Sequence, residues 1–193
     1  AKNRPATVSG LEVNDGRLGP ENAVDGSADT RLSFARDQDV QWMIVDLGVE
    51  HTVDRVVIDF FEGISEYKLY GSTDGETFTE LAHITKEEEG KKRTDTVEFE
   101  PARMRYIKYE QLKRFHIADW NAYYSGGISE FEVYGFDLSA YQTLLDETDG
   151  ITDRDVRVAR AALREYLGRA EIFGTHADGL RDALHPSLRG ADD

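Results

Sequence analysis

Between residues 40 and 134, apolar and polar positions alternate in short runs separated by turn residues, the period-two pattern of strands with one buried face. Residues 40–47 end in Asp46-Leu47-Gly48, residues 53–61 follow a short link, and residues 66–71 run into Ser72-Thr73-Asp74-Gly75, a hairpin signal. Further strands are expected over 78–82, 94–99, 105–110 and 129–134, and Trp42 is assigned to the core because it sits inside a strand run. The segment 86–93, with Glu-Glu-Glu-Gly-Lys-Lys at its centre, reads as a solvated hairpin tip, and His51 and His83 as solvent-facing turn or strand-end residues. The pattern predicts an all-β sandwich over residues 1–136.

After Asp137 the spacing becomes helical. Thr152-Asp153-Arg154-Asp155 has the character of a helix N-terminus, and Val156, Ala159, Leu163, Tyr166 and Leu167 then mark one apolar face. Shorter segments around Leu138, Tyr141, Leu144 and Leu145, and around Leu180, Ala183 and Leu184, flank it. Residues 137–193 are therefore expected to form an α-helical spacer or a partial helical module of three helices, with little core of its own.

Composition narrows the function. The chain has 193 residues, 39% hydrophobic and 10% aromatic, enough for one well-cored domain plus an appendage. No apolar run approaches the roughly 18 residues of a membrane span. The chain begins at Ala1, without an initiator Met or a signal-peptide pattern, and is expected to be an excised piece of a longer or processed polypeptide, monomeric as a fragment. With no cysteine there is no disulfide framework, thiolate metal site or cysteine nucleophile. A formal charge of -15 disfavours nucleic acid and anionic membrane surfaces, so partners should be neutral or cationic.

The stretch from Glu21 to Thr30 is rich in Asp, Ser, Thr and Gly and can wrap oxygen atoms around a hard cation. One carboxylate from the late strand Ile128-Ser129-Glu130-Phe131-Glu132-Val133-Tyr134-Gly135 would close the cage. An Asp25-Gly26 tight turn and an exposed Glu130 would read the same way without metal.

Five segments in order carry a resemblance to a known family. They are Asn22-Ala23-Val24-Asp25-Gly26 with Thr30-Arg31; Gln41-Trp42-Met43-Ile44-Val45-Asp46-Leu47-Gly48; Tyr67-Lys68-Leu69-Tyr70-Gly71-Ser72-Thr73-Asp74-Gly75; Ala102-Arg103-Met104-Arg105-Tyr106-Ile107-Lys108; and the Ile128–Gly135 strand. Residues 5–136 thereby resemble the discoidin-like, galactose-binding-domain-like fold, also called coagulation factor 5/8 type C, and especially carbohydrate-binding module family 32. Leu32 departs from the Trp that commonly follows Thr-Arg, a core exchange. The resemblance implies a jelly-roll β-sandwich and a structural calcium ion. Carried over by position, Asn22, Ser27 and Ser129 would offer carbonyl oxygens, Asp25 and Glu130 carboxylates, and Thr30 both carbonyl and hydroxyl. A closed oxygen cage of this kind leaves no open position for substrate.

Ligand binding is then expected in loops at one end of the sandwich. A sugar needs an aromatic plate and planar polar groups for its hydroxyls. Phe34, Arg36 and Asp37, then Phe61 and Glu62, then His116, Trp120, Asn121 and Tyr123 supply these types, with Trp120 and Tyr123 as platforms. Each has a plainer reading: Trp120 as an anchor of its loop, His116 as a cap on loop backbone, Arg36 as a surface partner of Asp37 or Asp39. The family's galactose pattern places an Arg and an Asn in the loop that is here Phe61-Glu62-Gly63-Ile64-Ser65, which has neither. Galactose specificity is thus not implied, and either His116, Asn121 and Arg36 substitute or the glycan is a different one.

Asp37 and Glu62 form no more of a glycosidase pair than any two of 38 acidic residues, and no phosphate loop, zinc helix or nucleophile elbow is present. The expectation is a non-catalytic carbohydrate-binding module, part of a larger secreted or surface-attached bacterial enzyme, that tethers the catalytic domain to a glycan. The competing expectation is a structural or protein-interaction module packed against an adjoining domain.

Overall fold

The computed structural model describes residues 1–13 and 16–136 and, beyond them, 154, 156–158 and 161. Nine strands account for nearly all of the regular structure among these: β1 Ala6–Val8, β2 Leu32–Ser33, β3 Gln41–Glu62, β4 Glu66–Ser72, β5 Thr79–Thr85, β6 Arg93–Gln111, β7 Phe115–Ile117, β8 Ala122–Tyr124 and β9 Gly127–Phe136. Every strand pairing is antiparallel. β7 and β8 form a hairpin of their own, and the other seven strands join in one sheet.

That sheet folds into two layers because its two longest strands belong to both. The early part of β3 pairs with β1 and with the late part of β6, which continues through β4 to β5. Late β3 pairs with early β6 and with β9, and β9 carries β2. The ladder between β3 and β6 slips between Asp46 and His51, and again between Val53 and Arg55. On β6 the second slip passes over 99–101, where Pro101 has no N–H to donate. In β3 and in β6 the sequence pattern therefore reads two strands, one on each side of the break, where the chain makes one bent strand.

Burial follows the pleat. Met43, Val45, Val56, Ile58 and Phe60 of β3 are buried, as are Tyr67 and Leu69 of β4 and Met104, Ile107 and Tyr109 of β6. The layers meet through aromatic rings: Phe60 lies 5.5 Å from Tyr67 and 6.1 Å from Tyr109, and Phe34 stacks on Tyr109 at 5.9 Å. Beneath them the Tyr67 hydroxyl donates to Asp95 Oδ2 at 2.8 Å, and Arg93 closes on the same carboxylate at 3.1 Å. Burial, with Asp95 beside it, pushes the Tyr67 phenol far up.

Two expectations change here. Trp42 alternates with the buried Gln41 and Met43, so it points away from the core and is only half-buried. The 86–93 segment is exposed at its centre but is no hairpin tip, because β5 and β6 lie on opposite sides of β4 and do not pair. His51 and His83 are exposed as expected. Of the C-terminal segment, Arg154, Val156, Arg157, Val158 and Ala161 are helical, and Val156 is buried. The flanking helices and the three-helix unit lie outside the described residues. Among those described, no helix is long and apolar enough to cross a membrane.

Candidate functional site

At one end of the sandwich a buried glutamine organises the loops. Gln111 is fully buried; its amide donates to the Asp39 carbonyl at 3.0 Å and accepts from the Gly126 N–H at 2.8 Å. The 34–40 loop is also held by Arg114, which pairs with Asp39 at 3.0 Å and donates to the Arg36 carbonyl. The β7–β8 hairpin rises beside it. Its turn is a 3-10 segment, Ala118–Trp120, closed by Asn121 with φ 46°, a left-handed position that asparagine tolerates.

This hairpin presents Trp120 and Tyr123 to solvent, at 68% and 56% exposure. It also separates them, because successive residues of β8 face opposite ways. On one side Trp120 lies 5.9 Å from Tyr124, and the Arg36 guanidinium sits 4.0 Å over the Tyr124 ring. Tyr123 looks the other way, 4.8 Å from His116, with Arg114 at 5.2 Å. His116 is further engaged by the Asn121 amide oxygen at 3.2 Å.

Glu62 connects to the Trp120–Tyr124 side through Arg36, whose charge acts on it. Its Oε2 rests against Gly127, where an added Cβ would come within 2.5 Å. Burial pushes its carboxyl above the ordinary range, and Arg31, Arg36 and Lys92 pull it back. Among the described residues no group donates a hydrogen bond to it. Phe61 completes this side, with Arg31 3.9 Å and Lys92 4.7 Å from its ring centroid.

Seven of the nine predicted ligand residues thus divide between two faces: Arg36, Phe61, Glu62 and Trp120 on one, His116, Asn121 and Tyr123 on the other. Asp37 is exposed on the same loop as Arg36. Phe34 does not face the ligand end; at 1% exposure its ring is part of the core. Arg36 pairs with Glu12, and neither with Asp37 nor with Asp39, which is taken by Arg114. Arg31, Lys92, Tyr124 and Glu12 were not singled out from sequence as ligand-site residues. Lys92 arrives because the 86–93 segment is tied back to β3, Gly63 N–H donating to the Lys91 carbonyl at 2.9 Å and Gly90 N–H to the Gly63 carbonyl at 2.6 Å.

The segment of residues 21–30 and β9 also meet. The Gly26 N–H faces both oxygens of Glu130, at 3.2 and 3.0 Å. Gly26 has φ 83°, and a Cβ there would also meet the Lys2 side chain at 2.8 Å. The Thr30 hydroxyl lies 2.7 Å from Asp25 Oδ2 and 3.1 Å from the Ser27 carbonyl. The Asn22 side chain is spent on the Arg17 and Arg31 carbonyls. Ser129 is the residue skipped where the β3–β9 register passes from Asp59–Glu130 to Phe60–Ile128, a bulge. Burial raises the Glu130 carboxyl above its ordinary range, and Asp25 adds to this. Among the described residues no three His, Cys, Asp or Glu side chains gather, so a cation here would draw mainly on carbonyl and hydroxyl oxygens.

The F5/8 type C domain model matches residues 5–130. The chain belongs to that family. Its fold is that of discoidin-like carbohydrate-binding modules. The F5/8 type C domain is similar to chitosan-binding module 1 of a chitosanase/glucanase from Paenibacillus sp. IK-5, with 29% identity and a TM-score of 0.60 over 70% of this chain and 97% of that one. It also shares its fold with a family 32 module from Clostridium perfringens solved with GalNAc-β-1,3-galactose, with 19% identity and a TM-score of 0.57 over 69% of this chain and 96% of that one. Among curated proteins the chain is 34% identical over 143 residues to the polysaccharide lyase 8 family protein HylA of Enterococcus faecalis, 68% of this chain. The chain spans about a tenth of that relative's length.

Proposed function

We propose that this chain is a non-catalytic glycan-binding module of a larger bacterial glycan-active enzyme, secreted or displayed at the cell surface. The observation that carries the reading is Trp120, an indole 68% exposed on a hairpin whose base is fixed, 5.9 Å from the Tyr124 ring that the Arg36 guanidinium covers. Exposing so large an apolar surface costs free energy unless a partner covers it. An exposed indole against the Tyr124 ring, with a guanidinium over that ring, suits a sugar ring and its hydroxyls. The chitosan-binding relative and the polysaccharide lyase relative support the same reading. Weak binding would suffice, because tethering raises the local concentration of substrate at a neighbouring catalytic domain.

Trp120→Ala is expected to weaken glycan binding at least tenfold, about 1.4 kcal/mol or more, without changing the melting temperature. Calorimetry against chitosan, galactose and uronate oligosaccharides measures this. Lack of binding by the wild type to every glycan at millimolar concentration defeats the reading.

The module would also hold a structural calcium ion. Asp25, Thr30 and Glu130 would contribute side-chain oxygens, and Asn22, Ser27, Thr30 and Ser129 carbonyls. The donor set is hard oxygen throughout, which suits calcium, and the Ser129 bulge frees a strand carbonyl that a regular ladder would occupy. The ion would tie the early loop to β9 and take no part in chemistry.

A further inference from the structure

Two cations at the ligand end, Arg31 and Lys92, lie against the Phe61 ring and, among the described residues, pair with no carboxylate. The Arg31 guanidinium stacks 3.9 Å from the Phe61 centroid while its Nε donates to Ser33 Oγ at 3.0 Å. Those two contacts set the plane of the fork, and among the described residues its terminal nitrogens meet no acceptor. Lys92 Nζ lies 4.7 Å from the same ring. Its chain neighbours Lys91 and Arg93 are paired with Glu88 and Asp95, whereas among the described residues Lys92 has no carboxylate within ion-pair reach. Arg36 is already taken by Glu12. Glu62 feels Arg31, Arg36 and Lys92 but bonds to none of them. On a chain carrying a formal charge of -15, the contacts at this corner bring Arg31, Arg36 and Lys92 together with Glu12 and Glu62.

We infer that Arg31 and Lys92 form a subsite for an anionic substituent of the glycan, a uronate carboxylate or a sulfate ester, beside the Trp120–Tyr124 surface. The inference rests on the glycan-binding reading and narrows its ligand class. A guanidinium with both terminal nitrogens free matches two oxygens of a carboxylate or sulfate, and the ammonium adds a point charge. The negative charge elsewhere acts weakly here, since salt screens it beyond about 8 Å at physiological strength. Glu62 opposes the anion while ionised, so it limits how tightly an acidic ligand binds. Neutralising it should strengthen that binding, the opposite of what happens if Glu62 accepts hydrogen bonds from a sugar hydroxyl or ammonium group.

The test is NMR titration of the whole chain with matched pairs: methyl glucuronide against methyl glucoside, and galactose 6-sulfate against galactose, with glucosamine against glucose as a control. At least one acidic member should bind about fivefold tighter than its neutral twin, and the two pairs distinguish carboxylate from sulfate. Arg31→Ala and, on its exposed loop, Lys92→Ala should each bring that ratio towards one, with folding checked by melting. Glu62→Gln should raise the ratio, as should acidification towards the ordinary glutamate range with the sulfated probe. Equal binding of every acidic and neutral twin, preference for glucosamine, or weaker acidic-ligand binding in Glu62→Gln overturns the subsite and leaves the glycan reading intact. If none of the sugars binds, both fail.

Discussion

Phe34→Ala should destabilise the domain by about 3–5 kcal/mol, the cost of truncating a buried aromatic, and lower its melting temperature by roughly 10 °C. The ring is 1% exposed and stacks on Tyr109, itself fully buried with a hydroxyl that finds no partner among the described residues. Removing it would open a void where the two layers meet, directly behind the Arg36 loop. Collapse is hindered because Tyr109 is also held against Phe60 and Tyr67. Phe34→Leu should recover much of the loss, since it refills part of the volume. Urea unfolding of the two variants and the wild type measures the effect. If Phe34→Ala melts like the wild type yet binds glycan less well, the residue belongs to the ligand surface and its assignment to the core is wrong.

Chelation of calcium should produce the second large effect. A cation bound only by the folded state stabilises it by about 2.7 kcal/mol at a hundredfold excess over the dissociation constant and about 4.1 kcal/mol at a thousandfold excess. Wild-type protein treated with EDTA should therefore melt several degrees lower and recover on adding calcium. Asp25→Ala and Glu130→Ala should start from the lower temperature and respond to neither treatment. Glu130 is the more informative position, because burial already disfavours its charge and Asp25 disfavours it further, so a cation relieves an existing repulsion. Glu130→Gln keeps the contact with the Gly26 N–H while removing that charge. A wild type whose melting is indifferent to EDTA and calcium alike would leave the segment as a turn held by Glu130 and nothing more.

How much of this was legible in the sequence depended on distance along the chain. Alternation of apolar and polar residues located β4 and the arms of β3 and β6, which bury every second residue, whereas β5 buries none and β9 is buried continuously over 127–131. It could not follow β3 through 47–50 or β6 through Pro101, where the period slips while the strand continues. Phe34 was misread for a related reason: β2 is two residues long, too short for any period to reveal which way the next side chain points. Trp42 sits in a run where every residue is apolar from Trp42 to Val45, so the run gave no phase, and the pleat decided against it. The aromatic-polar hairpin stood out by composition, but its division into two faces depends on β8 register. Lys92 and Arg31 carried no local signal, since backbone hydrogen bonds from Gly63 and Gly90 bring the first to Phe61, and stacking brings the second.

The crossing of β3 and β6 between the layers has a consequence for how the domain comes apart. Neither layer can be peeled away while the other stays whole, because each would have to break the same two strands. Unfolding should be a single cooperative event, so that a cation bound between the 21–30 segment and β9 and a sugar bound at the hairpin end would both register in one melting curve, though they would touch different residues.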